Sequence, residues 1–130
     1  MAMLQRGDQV PHFTLRTLAG QRVNYSEIWQ RRSLLLICLP AEITTDTSRT
    51  YVSGLAARAD EVTEQDADSV VTSETVPGAP CPGVVIADRW GEIYFVAGSS
   101  HAEGLPSLDE LFAWLRHIRN ECPECQGEAR

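Results

Sequence analysis

The segment from Ser33 to Leu39 most constrains the fold, because its side chains are apolar on both faces of an extended chain. It is too short for a helix, and a strand of this composition is typical of the middle of a sheet that is covered on two sides. The run is also far short of the ~20 apolar residues that span a bilayer. We therefore predict an α/β domain with this strand at the centre of its sheet.

Periodicity and turn residues predict the elements around the central strand. They are a short hairpin over 11–23, an amphipathic helix that starts at Thr47 or Ser48 and runs through Val62, a strand at 69–73, strands at 84–88 and 92–97 turned at 89–91, and a last helix opened by Pro106 and Ser107. The strand–helix–strand unit should be parallel, with a right-handed crossover.

Length and charge narrow the class of protein. A chain of 130 residues is enough for one domain with its own core, and we assign 1–120 to that domain and 121–130 to a C-terminal tail. Eighteen acidic residues against eleven arginines and no lysine give a net charge of -7, which argues against nucleic acid and membrane surfaces as partners. The N-terminus has no apolar signal core, so we expect a cytoplasmic protein whose four cysteines stay reduced rather than forming a disulfide framework.

Two motifs frame the predicted sheet: Gly7-Asp8-x-x-Pro11-x-Phe13-x-Leu15 at the front and Pro82-Gly83-Val84-Val85-Ile86-Ala87-Asp88 further on. With the order of elements, they make residues 4–120 resemble the peroxiredoxin branch of the thioredoxin superfamily, the group of alkyl hydroperoxide reductases and thiol-specific antioxidants. The resemblance implies a thioredoxin-like fold, with a central mixed β-sheet flanked by helices and shortened after the second core strand.

The chain differs from that family at the position that carries the family's reactive cysteine. The family segment after the central strand reads Pro-x-x-x-Thr-x-x-Cys, and the matching positions here are Pro40, Thr44 and Thr47. A threonine hydroxyl forms no thiolate at neutral pH and is not reversibly oxidised by peroxide, so the usual peroxidase mechanism is excluded at Thr47. Capping of the following helix is the simplest role for Thr47, and Pro40, Thr44 and Thr47 stay candidates for binding only.

The resemblance also implies a cis-proline six residues before the aspartate that ends the next strand, and Pro82 stands at that distance from Asp88. Cys81 would then lie at the carboxyl end of the central strand and face the start of the following helix, whose positive end can lower a thiol pKa. Cys81 is therefore a catalytic candidate and Pro82 a binding candidate, the alternative for Cys81 being a small apolar filler. We expect Cys38, inside the apolar strand, to be a core residue without a function.

Cys122 and Cys125 have the Cys-x-x-Cys spacing of a redox dithiol or of two zinc ligands. They follow a helix C-terminus beside Glu121 and Glu124, where negative charge disfavours a thiolate. Zinc could add His117, but a closed site needs a fourth ligand, so no residue is assigned to a metal. A thiol relay that uses both cysteines catalytically, a metal site and an inert tail all stay open.

The sequence leaves three functions open. The first is a divergent redoxin, a thiol–disulfide oxidoreductase or antioxidant that uses Cys81 or the Cys122/Cys125 pair on a protein thiol, a disulfide or a peroxide, with no cofactor. The second is a non-catalytic thioredoxin-fold binding module with its groove beside Pro82. The third is a zinc-tethered dimer through Cys122 and Cys125, and a homodimer is among the partners that we consider.

Overall fold

The computed structural model describes residues 3–40, 46–99 and 104–121, without the side chains of 46, 47 and 121. The elements are β1 (Thr14–Arg16), β2 (Arg22–Asn24), a 3₁₀ turn (Tyr25–Glu27), β3 (Ser33–Cys38), α1 (Asp46–Ala57), α2 (Ala59–Glu64), β4 (Ala67–Thr72), β5 (Gly83–Ala87), β6 (Ile93–Gly98) and α3 (Leu108–Glu121). No helix in these three ranges is long and apolar enough to cross a membrane.

The main sheet has four strands in the order β4-β3-β5-β6. β3 pairs with β4 in parallel and with β5 antiparallel, and β5 pairs antiparallel with β6, so the sheet is mixed. All side chains of β3 are buried, as predicted for a central strand. The prediction of an α/β fold with a parallel strand–helix–strand unit is therefore confirmed.

The two faces of β3 pack against different layers. Leu35 and Ile37 belong to a core cluster with side chains of all three α-helices, whereas Leu34 and Leu36 belong to a cluster with the N-terminal hairpin and the 3₁₀ turn. This division follows from the strand itself, because successive side chains point to opposite faces. The helices therefore cover one face of β3 and the β1–β2 hairpin covers the other.

The amphipathic helix predicted through Val62 is broken into α1 and α2 at Arg58, which leaves the helical conformation at φ -111° and ψ 22°. The Arg58 guanidinium binds both carboxylate oxygens of Glu61, at 2.7 and 3.0 Å, and the carboxylate of Asp109 at 2.8 Å. It also lies 4.3 Å from the centroid of the Phe112 ring on α3. The break lies where α3 packs against this segment. Because that contact is between residues far apart in the sequence, the periodicity of the segment does not reveal it.

A buried hydroxyl joins the end of β4 to the β1–β2 hairpin. Thr72 is 0% exposed, and its Oγ1 donates to the carbonyl of Arg16 at 2.7 Å and accepts the amide N–H of Glu74 at 3.0 Å. The Glu74 carboxylate accepts the amide N–H of Arg16 at 2.8 Å. These bonds fix the start of the β4–β5 loop beside the hairpin.

Replacing Thr72 with valine is expected to lower the free energy of unfolding by about 2 kcal/mol. Valine keeps the shape but removes both hydrogen bonds of the buried hydroxyl, with the Arg16 carbonyl and the Glu74 amide, and each such bond contributes about 0.5–1.5 kcal/mol. Urea unfolding measures the loss. Thr63→Val is the matched control, because this exposed hydroxyl makes only a 3.3 Å bond within α2 and should cost about 0.5 kcal/mol or less. Equal losses for the two variants would contradict a special role of the Thr72 hydroxyl.

Candidate functional site

Strand pairing brings two cysteines together at the carboxyl end of β3. Cys38 ends this strand and is opposite Gly83 in the antiparallel register of β3 and β5. Cys81 precedes Gly83 by two residues and forms a disulfide with Cys38. Their Cα atoms are 5.1 Å apart, inside the range of about 4.4–6.8 Å that disulfides usually show.

The disulfide corrects the sequence prediction for Cys38. The residue is a core residue as predicted, at 3% exposed, but it is not without a role, and Cys38 and Cys81 are not free thiols. The two cysteines are 43 residues apart, so no local spacing motif links them. Only the register of β3 and β5 could have indicated the pairing, because one cysteine ends the central strand and the other lies just before its antiparallel neighbour.

The loop residues on both sides of Cys81 are held by the sheet. The Cys81–Pro82 peptide bond is cis, as predicted, and Pro82 is buried. The carbonyl of Pro82 accepts the amide N–H of Ser99 at 3.2 Å. Pro80 lies against Gly83 and Gly98, which are opposite each other on β5 and β6. The loop therefore brings Cys81 to Cys38 with backbone fixed before and after it.

The two cysteines differ in their exposure to solvent. Cys38 is 3% exposed, while Cys81 is partly exposed. The Cys38 Sγ lies 3.3 Å from the carbonyl oxygen of Glu74. A disulfide sulfur carries no hydrogen, but a Cys38 thiol in the reduced chain could donate to this oxygen. Cys81 is therefore the half of the disulfide that is more open to solvent.

The segments of sequence next to the two cysteines carry few charged side chains. Residues 75–83, 38–40 and 96–99 carry none, and the ionisable side chain nearest to Cys81 in the β4–β5 loop is that of the exposed Glu74. Helix α1 follows β3 in the chain and so begins at the same edge of the sheet. The lowering of the Cys81 pKa by this helix end stays a prediction, which concerns only the reduced chain.

The other predicted site residues divide into two groups. Pro40 follows Cys38 by two residues and is partly buried at the same end of the sheet. Thr44, Cys122 and Cys125 lie outside the described residues, and Thr47 is the second residue of α1, with its side chain outside the description. Pro40, Cys81 and Pro82 thus lie together at the carboxyl end of β3. The prediction that Thr47 caps the following helix is wrong, because α1 already begins at Asp46 and a capping residue precedes the first helical residue. The predictions for Thr44, Cys122 and Cys125 and a binding role for Thr47 stay predictions.

His117, the third zinc ligand considered, lies on α3 among aromatic rings. Its ring centroid is 5.6 Å from that of Trp114 and 6.3 Å from that of Tyr94. Across the three described ranges, no group of three or more His, Cys, Asp or Glu side chains is arranged to hold a metal ion. The part of the zinc site that would include Cys122 and Cys125 lies beyond those ranges.

A second buried polar cluster lies at the opposite end of β5. The Asp88 carboxylate accepts the amide N–H groups of Trp90 at 2.9 Å and Glu92 at 3.0 Å, and burial raises the pKa of Asp88. Burial, with a smaller effect of the Asp88 charge, raises the pKa of Tyr25 to about 12. The Asp88 carboxylate thus stabilises the β5–β6 turn, and the length of β5 separates both groups from the disulfide.

No protein-family model and no curated protein sequence matches the chain. Solved structures do. The reduced 2-Cys peroxiredoxin of Plasmodium vivax has a TM-score of 0.70 at 13% identity, over 88% of this chain and 96% of that one. The mitochondrial 2-Cys peroxiredoxin of Plasmodium falciparum has 0.72 at 10% identity, over 96% and 99%. Mycobacterium bovis AhpC has 0.69 at 15% identity, over 92% and 99%. At these identities the likeness is one of fold.

Proposed function

Because the chain has the peroxiredoxin-like form of the thioredoxin fold and a disulfide at the carboxyl end of its central strand, we propose that it is a divergent redoxin. In this proposal, Cys38 and Cys81 form a thiol–disulfide couple that exchanges electrons with a protein thiol or disulfide. The observation that carries the proposal is the pairing of a buried cysteine with a partly exposed one. Cys81 keeps the catalytic role expected from the sequence, and Cys38 becomes its partner.

Reduction of the couple takes two exchange steps. A partner thiolate attacks the Cys81 Sγ, the Cys38–Cys81 bond breaks, and Cys38 leaves as a thiolate that takes up a proton. A second partner thiolate then attacks the partner's sulfur in the mixed disulfide and releases Cys81. The partner ends as a disulfide and this chain gains two electrons. The reverse sequence reduces a partner disulfide: the Cys81 thiolate attacks one of its sulfur atoms, Cys38 then resolves the mixed disulfide, and the partner leaves as a dithiol while this chain is oxidised.

The surroundings of Cys38 suit the resolving role. Its side chain is too buried for a protein-sized partner, and the Glu74 carbonyl 3.3 Å from its Sγ presents a partial negative charge that disfavours a thiolate. Cys81 has no such contact among the bonds described and is the more exposed of the two. In the reduced chain we therefore assign the nucleophile to Cys81 and the neutral thiol to Cys38.

Peroxide reduction is a second candidate, favoured by the peroxiredoxin fold of the structural neighbours. A Cys81 thiolate would attack one peroxide oxygen, release water or an alcohol, and become a sulfenic acid; the Cys38 thiol would then condense with it to the disulfide and release a second water. This route uses the same two residues without a thiol at position 47. The non-catalytic binding module and the zinc-tethered dimer stay predictions from the sequence.

Equilibration in thiol/disulfide buffers tests the proposed couple. Alkylation and peptide mass mapping should show Cys38 and Cys81 becoming protected together, in one two-electron step between about -220 and -320 mV, which would suit the cytoplasm that we propose as its compartment. A Cys122→Ser/Cys125→Ser variant is the control, since the step should survive loss of the tail thiols. Thiols alkylated at every potential, or a disulfide that persists well below this range, would contradict redox cycling.

A stoichiometric reaction with hydrogen peroxide separates the two candidates. If the reduced chain acts as a peroxidase, then in the Cys122→Ser/Cys125→Ser background one peroxide should disappear for each Cys38–Cys81 disulfide formed, and adding Cys81→Ser should abolish the consumption. A chain that cycles in thiol buffers but does not consume peroxide would act as a thiol–disulfide oxidoreductase alone.

A further inference from the structure

We infer that Pro80 and Gly98 position Cys81 for disulfide exchange with Cys38, an inference that rests on the proposed function. The Gly83–Gly98 pair leaves a gap in the surface of the β5–β6 pair, because neither residue has a side chain. Pro80 fills this gap directly before Cys81. The position of the reactive sulfur is thus set by how deeply a proline sits against the sheet.

Pro80 packs so closely against Gly98 that there is almost no room for a side-chain atom at position 98. A Cβ built on Gly98 would lie 2.7 Å from the Cβ of Pro80 and 3.4 Å from its Cγ, and carbon atoms that are not bonded prefer about 3.5–4.0 Å. Gly98 does not have a positive φ, so alanine is compatible with its backbone. A methyl group at this position therefore forces a shift, and the Pro80 ring is the group that it meets first.

Gly83 makes the same gap but does not allow so clean a test. A Cβ there would lie 2.5 Å from both the Cγ and the carbonyl oxygen of Pro80. The carbonyl is backbone, so no change of the Pro80 side chain would relieve that contact. The contact of Gly98, in contrast, is with the Pro80 ring, so a substitution at Pro80 can remove it.

Displacement of Pro80 affects the oxidised and the reduced chain differently. Cys81 follows Pro80 directly, and its Cα must stay within disulfide distance of the Cys38 Cα, now 5.1 Å away. A contact that only destabilises the fold weakens both redox states equally and leaves the equilibrium constant for disulfide formation unchanged. A contact that moves Cys81 destabilises the oxidised state alone, so this constant measures positioning.

The test is the equilibrium constant against glutathione, measured in the Cys122→Ser/Cys125→Ser background. Gly98→Ala is expected to lower the constant about tenfold, which raises the midpoint potential by about 30 mV. In the Pro80→Gly background, where the ring is absent, Gly98→Ala should change the constant less than about twofold. Pro77→Gly is the matched control, an exposed proline in the same loop that should leave the constant unchanged.

Pro80→Gly alone keeps the inference testable if Gly98→Ala does not fold, because it should lower the constant where Pro77→Gly does not. The inference is overturned if Gly98→Ala folds with an unchanged constant, or if Gly98→Ala costs as much without the Pro80 ring as with it. These outcomes are separate from failure of the proposed function. A wild-type midpoint outside cytosolic potentials would refute cycling, while the ratios between variants could still be measured against dithiothreitol.

Discussion

Cys38→Ser is expected to trap a mixed disulfide on Cys81, whereas Cys81→Ser should leave a buried thiol that does not react. The difference follows from access, because Cys38 is 3% exposed and Cys81 is partly exposed. With Cys38, Cys122 and Cys125 all replaced by serine, no second cysteine is left in the sequence to release the adduct. Its lifetime should therefore exceed that in the reduced wild-type chain on the order of 100-fold or more, since a well-oriented neighbouring group has a very high effective concentration.

Intact-mass measurements after exposure to glutathione disulfide follow these adducts, with the Cys122→Ser/Cys125→Ser changes present in every variant. Cys81→Ser should acquire an adduct only after denaturant exposes Cys38, and that reaction serves as the internal control for thiol content. Adduct formation on folded Cys81→Ser at the rate of Cys38→Ser would contradict the roles that we assign. It would mean that both sulfur atoms are open to attack.

Reduction of the Cys38–Cys81 bond is expected to lower the free energy of unfolding by about 4 kcal/mol. The disulfide spans 43 residues, and closing a loop of that length removes a corresponding conformational entropy from the unfolded chain. Urea unfolding with and without a phosphine reductant measures the difference. The same difference should vanish in a Cys38→Ser/Cys81→Ser variant, which has no bond at this position to reduce.

This stability difference is linked to the redox equilibrium. A bond that stabilises the folded state by about 4 kcal/mol makes the disulfide potential about 85 mV more negative in the folded chain than in the unfolded chain. The potentials with and without denaturant should therefore agree with the unfolding experiment. A difference below about 1 kcal/mol in unfolding, with a large gap between the potentials, would break this linkage and show that the two experiments compare different states.

Much of the fold was predictable because its signals are local. The apolar run that became β3, the turn between β5 and β6 and the proline and serine before α3 each act within a few residues. The break at Arg58 was not predictable in this way. The partners of this side chain include Asp109 and Phe112 on α3, and only the folded chain brings them together.

Only part of the candidate site was predictable from the sequence, because the rest depends on how the strands pair. Cys81 and the cis bond at Pro82 came from a resemblance whose residues are close in sequence. Cys38 was correctly expected to be buried, but burial alone does not distinguish an apolar filler from half of a disulfide. Its pairing depends on the register between β3 and β5, which a pattern of apolar residues does not determine. The contribution of Gly98 depends on a further register, that of β5 and β6.

The bond between Cys38 and Cys81 also changes the topology of the chain. In the oxidised state the backbone from 38 to 81 is a closed covalent ring that includes α1, α2 and β4, with a linear arm on each side. A single cut of the backbone inside this ring opens it without dividing the molecule. Only reduction then releases two fragments, so the effect of a protease on this protein depends on the redox state in which it meets the chain.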